Sequence, residues 1–361
     1  MSELYFNSAS PFTRWIVANA LLREKFVVVD VGCQGGVHVQ WDLLGEYADV
    51  HAFDAIREFT DDLARRDARP NRHYYAMALG NEDGRRKFFV KPDLAASSFI
   101  AKDNRARYLP NGQDIIADPQ SELTLNEVLR PGAREVHISR LDTLFANDLL
   151  PKGDFIKLDC EGFEPEVLAG ASKFMRESSV LAVTSETSFQ PTPFGTGTHF
   201  DCISSLLLKH RLRVFDLVSL RLPRPTYLAL RKERTRDWYS ECTPRNKPLP
   251  FDLGQPIIFD FLFCRDLVAE QDDIKNNDNS VQQPSVDQVL KMMIIFELHG
   301  LMDCAVDLAS RFRENLTSRV DVDRAIDLLL EPPPHARNLP EIVDCLGTIA
   351  ALRSALDEAK L

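Results

Sequence analysis

Residues 27–36 read VVVDVGCQGG, and this stretch decides the fold. Three consecutive valines without polar alternation are typical of a strand covered on both faces, as in parallel sheets with helical crossovers. The glycines that follow allow a tight strand-to-helix turn and let a ligand approach the backbone closely. The stretch therefore predicts the first strand of an α/β sheet followed by a nucleotide loop, although a plain βα turn would need the same glycines.

Further short apolar runs alternate with amphipathic stretches along the chain. Together with Phe26–Val31, they predict strands at residues 50–54, 73–77, 155–159, 180–184, 212–217 and 257–263. Helical patterns fall between them at residues 58–66, 164–176 and 201–209. Because strands that alternate with helices pair in parallel, the sequence predicts a doubly wound, mostly parallel α/β sheet of the Rossmann-like type.

The pattern changes after residue 270. Residues 271–285 are polar and predict a linker. Between residues 286 and 361 apolar side chains recur at helical spacing, which predicts a small C-terminal helical appendage. The predicted division is thus an α/β domain over residues 1–270, a linker over 271–285 and a helical domain over 286–361. For these helices internal packing, partner docking and formation of a homodimer are all open.

Composition narrows the class of protein. The chain has 361 residues, of which 44% are hydrophobic, and a net charge of −11, which disfavours a nucleic-acid substrate. Its start has no basic segment before a long apolar run, and no stretch approaches the roughly 20 apolar residues needed to cross a bilayer. The seven cysteines lie far apart without a CxxC pair. We therefore expect a cytoplasmic protein with no membrane span and no disulfide framework.

Two acidic residues indicate which nucleotide the loop holds. Asp30 precedes the glycines, where dinucleotide-binding turns usually keep an apolar residue. A carboxylate there can hold the ammonium of an amino-acid moiety, which S-adenosylmethionine carries and nicotinamide cofactors lack. Asp54 follows Phe53 at the end of the second predicted strand, where a carboxylate can accept both ribose hydroxyls.

The third predicted strand runs into Ala78 and Leu79, and the loop there could cover the adenine through backbone atoms, although an ordinary strand end is equally consistent. The predicted cofactor contacts are Asp30, Gly32, Gln34, Gly35, Phe53, Asp54, Ala78 and Leu79.

Residues 154–171 read DFIKLDCEGFEPEVLAGA and carry a second signal. Lys157, Asp159 and Glu161 share one face if the strand continues, because side chains on a strand alternate. Burying such charges is costly unless they pair or meet a ligand, and ligands of open α/β sheets bind at this edge.

This segment resembles the hallmark of the FkbM-type methyltransferases, whose pattern is close to K-I-D-V-E-G-x-E-x-x-V-L-x-G-A. The resemblance extends, in the right order, to the paired serines Ser97 and Ser98 and to residues 139–144, 215–217, 254–255 and 260–263. It implies a class I methyltransferase fold, S-adenosylmethionine as methyl donor, and O-methylation, often of sugars or secondary metabolites.

The chain departs from that family at three places. The family usually carries Asp-x-Gly-Ala-Asn at the first loop, whereas Cys33 and Gln34 stand here, so the amide is kept on a longer side chain. Asp54 occupies a position where the family often has Glu. Residues 99–135 form a longer stretch than expected, for which the family gives no guide.

A hydroxyl acceptor benefits from a general base within hydrogen-bond reach. The candidate catalytic residues are Asp159 and Glu161, then Glu186 just past the fifth strand, and His199 in the loop over 191–200. Asp159 could instead cap the next helix or hold the donor's ammonium. Asp159, Glu161 and Glu186 could also bind a divalent metal, which we do not favour.

Residues 221–247 are rich in arginine and lysine interleaved with aromatic residues. This composition suits an anionic, sugar-bearing small-molecule or glycan acceptor, but a solvated arm that pairs with the protein's own carboxylates is favoured. Two alternatives to a methyltransferase are a catalytically silent nucleotide-binding protein, supported by the departure at Cys33 and Gln34, and a nicotinamide-dependent oxidoreductase, which Asp30 and the segment 154–171 disfavour.

Overall fold

The computed structural model describes residues 10–90, 97–100, 132–189, 199–222, 255–276 and 282–331. The strands are β1 Phe26–Val31, β2 Ala48–Asp54, β3 Arg72–Ala76, β4 Ala78–Leu79, β5 Gly84–Val90, β6 Gly132–Ser139, β7 Phe155–Leu158, β8 Ala182–Thr187, β9 Leu212–Leu222 and β10 Gln255–Arg265. The helices are α1 Pro11–Ala18, α2 Arg57–Arg66, α3 Leu141–Ala146, α4 Glu164–Ala169, α5 Ser172–Ser178, α6 His199–Leu208, α7 Leu267–Lys275, α8 Val286–Leu298, α9 Met302–Arg311, α10 Arg313–Leu316 and α11 Val322–Leu330.

The main sheet has seven strands in the order β3-β2-β1-β7-β8-β10-β9. Its central strands pair in parallel, and β10 runs antiparallel to both β8 and β9. The predicted doubly wound, mostly parallel sheet is confirmed, and each predicted strand is present with ends shifted by a few residues. The strand order reverses between β1 and β7, so the carboxyl ends of these two strands flank the crevice where open α/β sheets bind ligands.

Strand β1 is buried along its whole length, as its valine run predicts. Next to it the rings of Phe26 and Phe155 pack on Trp41, with ring centroids 5.3 and 4.8 Å from that of Trp41. Trp41 lies in a 3₁₀ segment, Val39–Tyr47, which is kinked at Gly45 (φ 55°). The predicted strand-to-helix turn therefore leads into a 3₁₀ segment rather than an α-helix, because glycine at a positive φ interrupts helical geometry.

A second sheet, in the order β4-β6-β5, was not predicted. Strand β5 begins Gly-Arg-Arg-Lys and is mostly exposed, so it lacks the apolar run by which the other strands were recognised. Its last residues still enter the core: Phe88 and Val90 pack in one hydrophobic cluster with Val136 and Ile138 of β6.

The predicted helix over residues 164–176 is two helices, α4 and α5, separated at Gly170 and Ala171. The glycine at this point has a steric reason. A Cβ at Gly170 would lie 1.9 Å from the carbonyl oxygen of Gly80, which follows β4. The chain therefore needs glycine where the second sheet approaches this helical segment.

The chain forms two compact units. One spans Glu24–Asn276, and the other combines Ser2–Arg23 with Asn277–Leu361. The predicted boundary was wrong at the N terminus, because α1 packs on the C-terminal helices α8 and α11. The predicted linker also begins too early, since residues 271–275 complete α7, which starts with the side chain of Asp266 accepting a hydrogen bond from the Ala269 N–H.

A buried carboxylate holds α1 in the second unit. Glu297 of α8 accepts hydrogen bonds from the N–H groups of Phe12 and Thr13, at 2.8 and 2.7 Å, and from the Thr13 hydroxyl at 2.6 Å. These N–H groups are in the first turn of α1, where backbone N–H groups have no hydrogen-bond acceptor within the helix. Helix α8 itself starts with a capping box between Ser285 and Gln288.

Of the predicted C-terminal helices, those at residues 286–330 are present, and the last, around residues 342–352, lies outside the described residues. The predicted homodimer through these helices stays a prediction. Each helix among the described residues is too short or too polar to cross a membrane.

We expect Glu297→Gln to lower the free energy of unfolding by about 1–3 kcal/mol, because the amide NH₂ would face one of the donors that Glu297 now satisfies. Urea unfolding followed by circular dichroism measures the loss. Glu314→Gln removes the same charge from an exposed position of α10 and serves as the control. Equal stability of the two variants would contradict a stabilising role for these bonds.

Candidate active site

The first loop and the end of β7 are in direct backbone contact. The pairing of β7 with β1 continues one residue beyond the end of β7, because the Asp159 N–H donates a hydrogen bond to the Val31 carbonyl at 3.0 Å. Gly32 has φ 80°, and a Cβ there would lie 1.8 Å from the Asp159 carbonyl oxygen. Only glycine therefore lets the loop pass so close to β7, which gives the predicted glycine a steric reason.

Lys157 lies between the carboxylates of Asp30 and Asp159. Its Nζ is 3.1 Å from Asp30 Oδ1 and 3.4 Å from Asp159 Oδ2, and it donates a hydrogen bond to the Gly32 carbonyl at 2.8 Å. Burial raises the pKa of Asp30 in spite of the Lys157 charge. Burial lowers the pKa of Lys157, but the charges of Asp30 and Asp159 outweigh it and raise the pKa overall, so the ammonium stays charged.

Three of the predicted catalytic residues meet at one place. Oxygen atoms of Asp159, Glu161 and Glu186 all lie within 4.8 Å of one another. Burial, followed by the charges of Glu161 and Asp159, raises the pKa of Glu186 well above its usual value. Asp260 pairs with Glu186 across β10 and β8, and desolvation together with the charge of Asp159 raises its pKa to about 6. This carboxylate cluster, Asp159, Glu161 and Glu186, therefore favours a protonated Glu186 and can alternatively bind a hard cation.

The loop that carries Glu161 is fixed by a serine from a distant part of the chain. Glu161 has φ 58° and Gly162 has φ 96°. The buried Ser98 hydroxyl donates to the Glu161 carbonyl at 2.9 Å, and the Ser98 backbone exchanges two hydrogen bonds with Phe89 of β5. The second serine of the predicted pair thus holds a backbone conformation that a glutamate rarely adopts.

His199 lies apart from the carboxylate cluster and pairs with Glu164. Its Nε2 is 3.0 Å from Glu164 Oε2, and the other Glu164 oxygen accepts hydrogen bonds from the N–H groups of Cys160 and Gly162 at 2.9 and 3.3 Å. Burial raises the pKa of Glu164, but the His199 contact and backbone donors outweigh it and lower the pKa overall. For His199, burial lowers the pKa and Glu164 raises it, with a net increase.

Glu164 and Lys157 belong to this site but were not among the site residues predicted from the sequence. Both stand within the segment 154–171, and both match the family pattern quoted above. The family pattern predicts that Glu164 and Lys157 are present. The residues that they contact, Asp30, Gly32 and His199, are distant in sequence, so only the fold shows these contacts.

The family comparison agrees with this geometry. The family described as "Methyltransferase FkbM domain" matches residues 30–215, which is more than half of the 361 residues. The chain belongs to the FkbM methyltransferase family. A comparison with curated proteins finds no match.

Several solved methyltransferases are distantly similar. Precorrin-6y C5,15-methyltransferase from Geobacter metallireducens GS-15 has 10% identity and a TM-score of 0.31, covering 73% of this chain and 96% of that chain. A SAM dependent methyltransferase from Aquifex aeolicus has 11% identity and a TM-score of 0.29, covering 72% and 94%. Burkholderia thailandensis 1,6-didemethyltoxoflavin-N1-methyltransferase, with 1,6-didemethyltoxoflavin and S-adenosylhomocysteine bound, has 12% identity and a TM-score of 0.27, covering 72% and 79%. Similarity this low says nothing about the acceptor.

As an FkbM methyltransferase the protein uses S-adenosylmethionine as methyl donor, and the nicotinamide-dependent alternative is excluded. The residues at the crevice fit that group. Gly35 is exposed with φ 85°, and a Cβ there would meet no atom within 4 Å, which leaves open space beside the loop backbone. Asp30 would supply negative charge for the ammonium and Asp54, at the end of β2, would supply acceptors for the ribose; both roles stay predictions.

The predicted cofactor residues differ in what they offer. Asp54 Oδ1 accepts from the Ile56 N–H at 2.8 Å, and burial raises the pKa of Asp54 to about 6. Gln34 is half-buried, and its backbone N–H points to Asp54. Phe53 is buried, and its carbonyl accepts from Gly32 and Cys33, so its role is to hold the loop.

Ala78 and Leu79 form β4, and both side chains are buried in the core. A contact with adenine would have to come from their backbone, and it stays a prediction. The basic stretch over residues 221–247 and the loop before His199 lie almost entirely outside the described residues.

We expect donor affinity to fall at low pH through Asp54. Only the ionised carboxylate accepts both ribose hydroxyls, so with a pKa of about 6 the affinity at pH 5 should be about tenfold weaker than at pH 8. Calorimetric titration with S-adenosylhomocysteine between these pH values measures this. Asp54→Asn should bind weakly with a flattened pH profile, whereas Asp303→Asn, at an exposed position, should match the unmodified protein. An unchanged profile in Asp54→Asn would assign the titration to another group.

We expect the Glu164–His199 pair to stabilise the protein at slightly acidic pH. The folded-state pKa of His199 is raised, so its contribution is present below the unfolded pKa and is lost as the pH rises through the folded pKa. His199→Gln should therefore cost about 1–3 kcal/mol at pH 6 and less at pH 9. Urea unfolding at both pH values measures the difference, with His137→Gln, exposed on β6, as control. An equal loss at both pH values would show that the ion pair contributes nothing.

Proposed function

We propose that this FkbM methyltransferase methylates a hydroxyl oxygen of a small-molecule or glycan acceptor, with Asp159 as the general base. The observation that carries the proposal is the carboxylate cluster, whose oxygens lie within 4.8 Å of one another beside the Asp30–Lys157 pair. A hydroxyl is a weak nucleophile until its proton is removed, so a base at this place serves an oxygen acceptor.

Asp159 and Glu186 suit different tasks in this step. The Lys157 ammonium lies 3.4 Å from the carboxylate of Asp159, whose side chain is 44% exposed and so open to an acceptor. Burial raises the pKa of Glu186, which favours its protonated form, and in that form it can donate a hydrogen bond that orients the acceptor oxygen. The two carboxyl groups thus divide into a proton acceptor and a proton donor.

S-adenosylmethionine supplies a methyl group bonded to a positively charged sulfur. As the new O–C bond forms, the C–S bond breaks and its electron pair stays on sulfur. The proton of the acceptor hydroxyl passes to Asp159. Because the displacement is in line, the main task of the protein is to hold the acceptor oxygen behind the methyl group.

The charge of the site also selects the acceptor. Three more acidic side chains, Asp30, Asp54 and Asp260, add to the negative charge of the carboxylate cluster. Lys157 lies between Asp30 and Asp159. An anionic group next to the reacting oxygen would be repelled, so the reacting end of the acceptor should be neutral. If the acceptor carries an anionic group, the basic residues at 221–247 could bind it away from the reacting oxygen.

Asp159→Asn should lower kcat about 10²- to 10⁴-fold, because it removes the base and keeps the shape of the side chain. Donor Kd should change less than twofold. The assay uses labelled S-adenosylmethionine with a panel of hydroxyl-bearing sugars and metabolites, and NMR of the product locates the methyl group. Glu186→Gln, which keeps a hydrogen-bond donor, should lose less activity, and Glu177→Gln on exposed α5 should lose none.

Other results would assign the site differently. A methyl group on nitrogen or carbon would overturn O-methylation. A raised donor Kd in Asp159→Asn would mean that Asp159 holds the donor's ammonium. Activity lost on treatment with a chelator and restored by Mg²⁺ would assign the carboxylate cluster to a divalent cation. Donor binding without turnover of any acceptor would favour the catalytically silent alternative.

A further inference from the structure

We propose that Asp49, His51 and His73 form a binding site for a divalent transition-metal ion of the Zn²⁺ type, separate from the carboxylate cluster. Potential ligand atoms of these three residues all lie within 4.8 Å of one another. The residues are on β2 and β3, and none of them enters the proposed methyl transfer.

The register of the two strands brings the residues together. His51 and His73 are direct partners in the parallel pair β2–β3, and their rings stack with centroids 4.6 Å apart. Asp49 precedes His51 by two residues, so it is on the same face of the sheet. The set therefore rests on strands rather than on loops, which fixes its positions.

Two of the three distances between ligand atoms are close to those that a tetrahedral ion requires, and the third, between the two imidazoles, is at most 4.8 Å. Zn–N and Zn–O bonds of about 2.0–2.1 Å place neighbouring ligand atoms about 3.4 Å apart. Here His73 Nε2 is 3.0 Å from Asp49 Oδ1, and His51 Nε2 is 3.7 Å from Asp49 Oδ2. Two imidazoles and one carboxylate would leave a fourth position for water, and this set of ligands suits Zn²⁺ better than Mg²⁺ or Ca²⁺.

A separate observation points to a ligand at this place. His51 is 5% exposed, and its Nε2 is buried without a hydrogen-bond partner among the described residues. The other nitrogen, Nδ1, is 3.0 Å from the Tyr75 hydroxyl. When Nδ1 donates its proton to Tyr75, the Nε2 lone pair faces Asp49, which is how an outer hydrogen bond commonly orients a metal-binding histidine.

A bound ion would replace the unsatisfied contact of Nε2 and would join β2 to β3, the last strand in the order of the main sheet.

The test uses the full chain without a polyhistidine tag, stripped with a chelator and dialysed. Zn²⁺ is titrated in competition with a chromophoric chelator, and Co²⁺ is added separately so that visible absorption reports tetrahedral coordination by nitrogen and oxygen. We expect one ion per chain with micromolar or tighter Kd. His73→Gln and Asp49→Asn should each weaken binding at least tenfold. Circular dichroism of the ion-free variants checks that they fold.

Two further variants locate the ion. His137→Gln removes an exposed histidine from β6 and should leave the Zn²⁺ affinity unchanged. Glu186→Gln alters the carboxylate cluster and should also leave it unchanged. No stoichiometric binding would overturn the proposal. So would binding that survives both His73→Gln and Asp49→Asn, or binding that is lost in Glu186→Gln instead.

Discussion

The charge of Lys157 is the constraint on which the described crevice depends. Its ammonium lies between Asp30 on β1 and Asp159 after β7, and it also binds the Gly32 carbonyl. Without that cation two carboxylates would face each other at the point where the strand order reverses. The same contact fixes the first loop against β7, so that a single side chain positions both the donor side and the acceptor side of the site. The absence of a Cβ at Gly32 is the steric counterpart of this electrostatic contact.

The loop after β7 is held from three directions, each by a residue distant in sequence. Ser98 binds the Glu161 carbonyl, Glu164 binds two N–H groups of the loop, and His199 neutralises Glu164. The positive φ of Glu161 is therefore imposed by its surroundings, as is common where a side chain must be presented for chemistry. His199 was predicted as a catalytic candidate, and the structure gives it a contact that supports the loop instead of a place in the carboxylate cluster.

The strands of the main sheet could be predicted because each is a short apolar run, and those patterns reflect burial on both faces. Strand β5 was not predicted because its first residues are charged and exposed. The need for glycine at position 170, between α4 and α5, could not be predicted because the Gly80 carbonyl that approaches it comes from another part of the chain. The same limit applies to the site. The sequence predicts Asp159 and Glu161 on one face only if the strand continues, and it predicts Glu186 beside them because that residue follows the fifth strand. It contains nothing that brings Asp260 to Glu186, because the two are paired across different strands. The place of α1 was missed for that reason too, since only the fold pairs Glu297 with Thr13.

So many acidic side chains can lie close together in this crevice only if a cation is normally bound among them. Within the described residues, Lys157 lies between Asp30 and Asp159, and burial raises the pKa of Glu186 and of Asp260, which favours their protonated forms. The methyl donor brings a sulfonium and an ammonium, which are the charges that such a wall attracts. The acidic character of the site therefore agrees with the positively charged donor that the family uses.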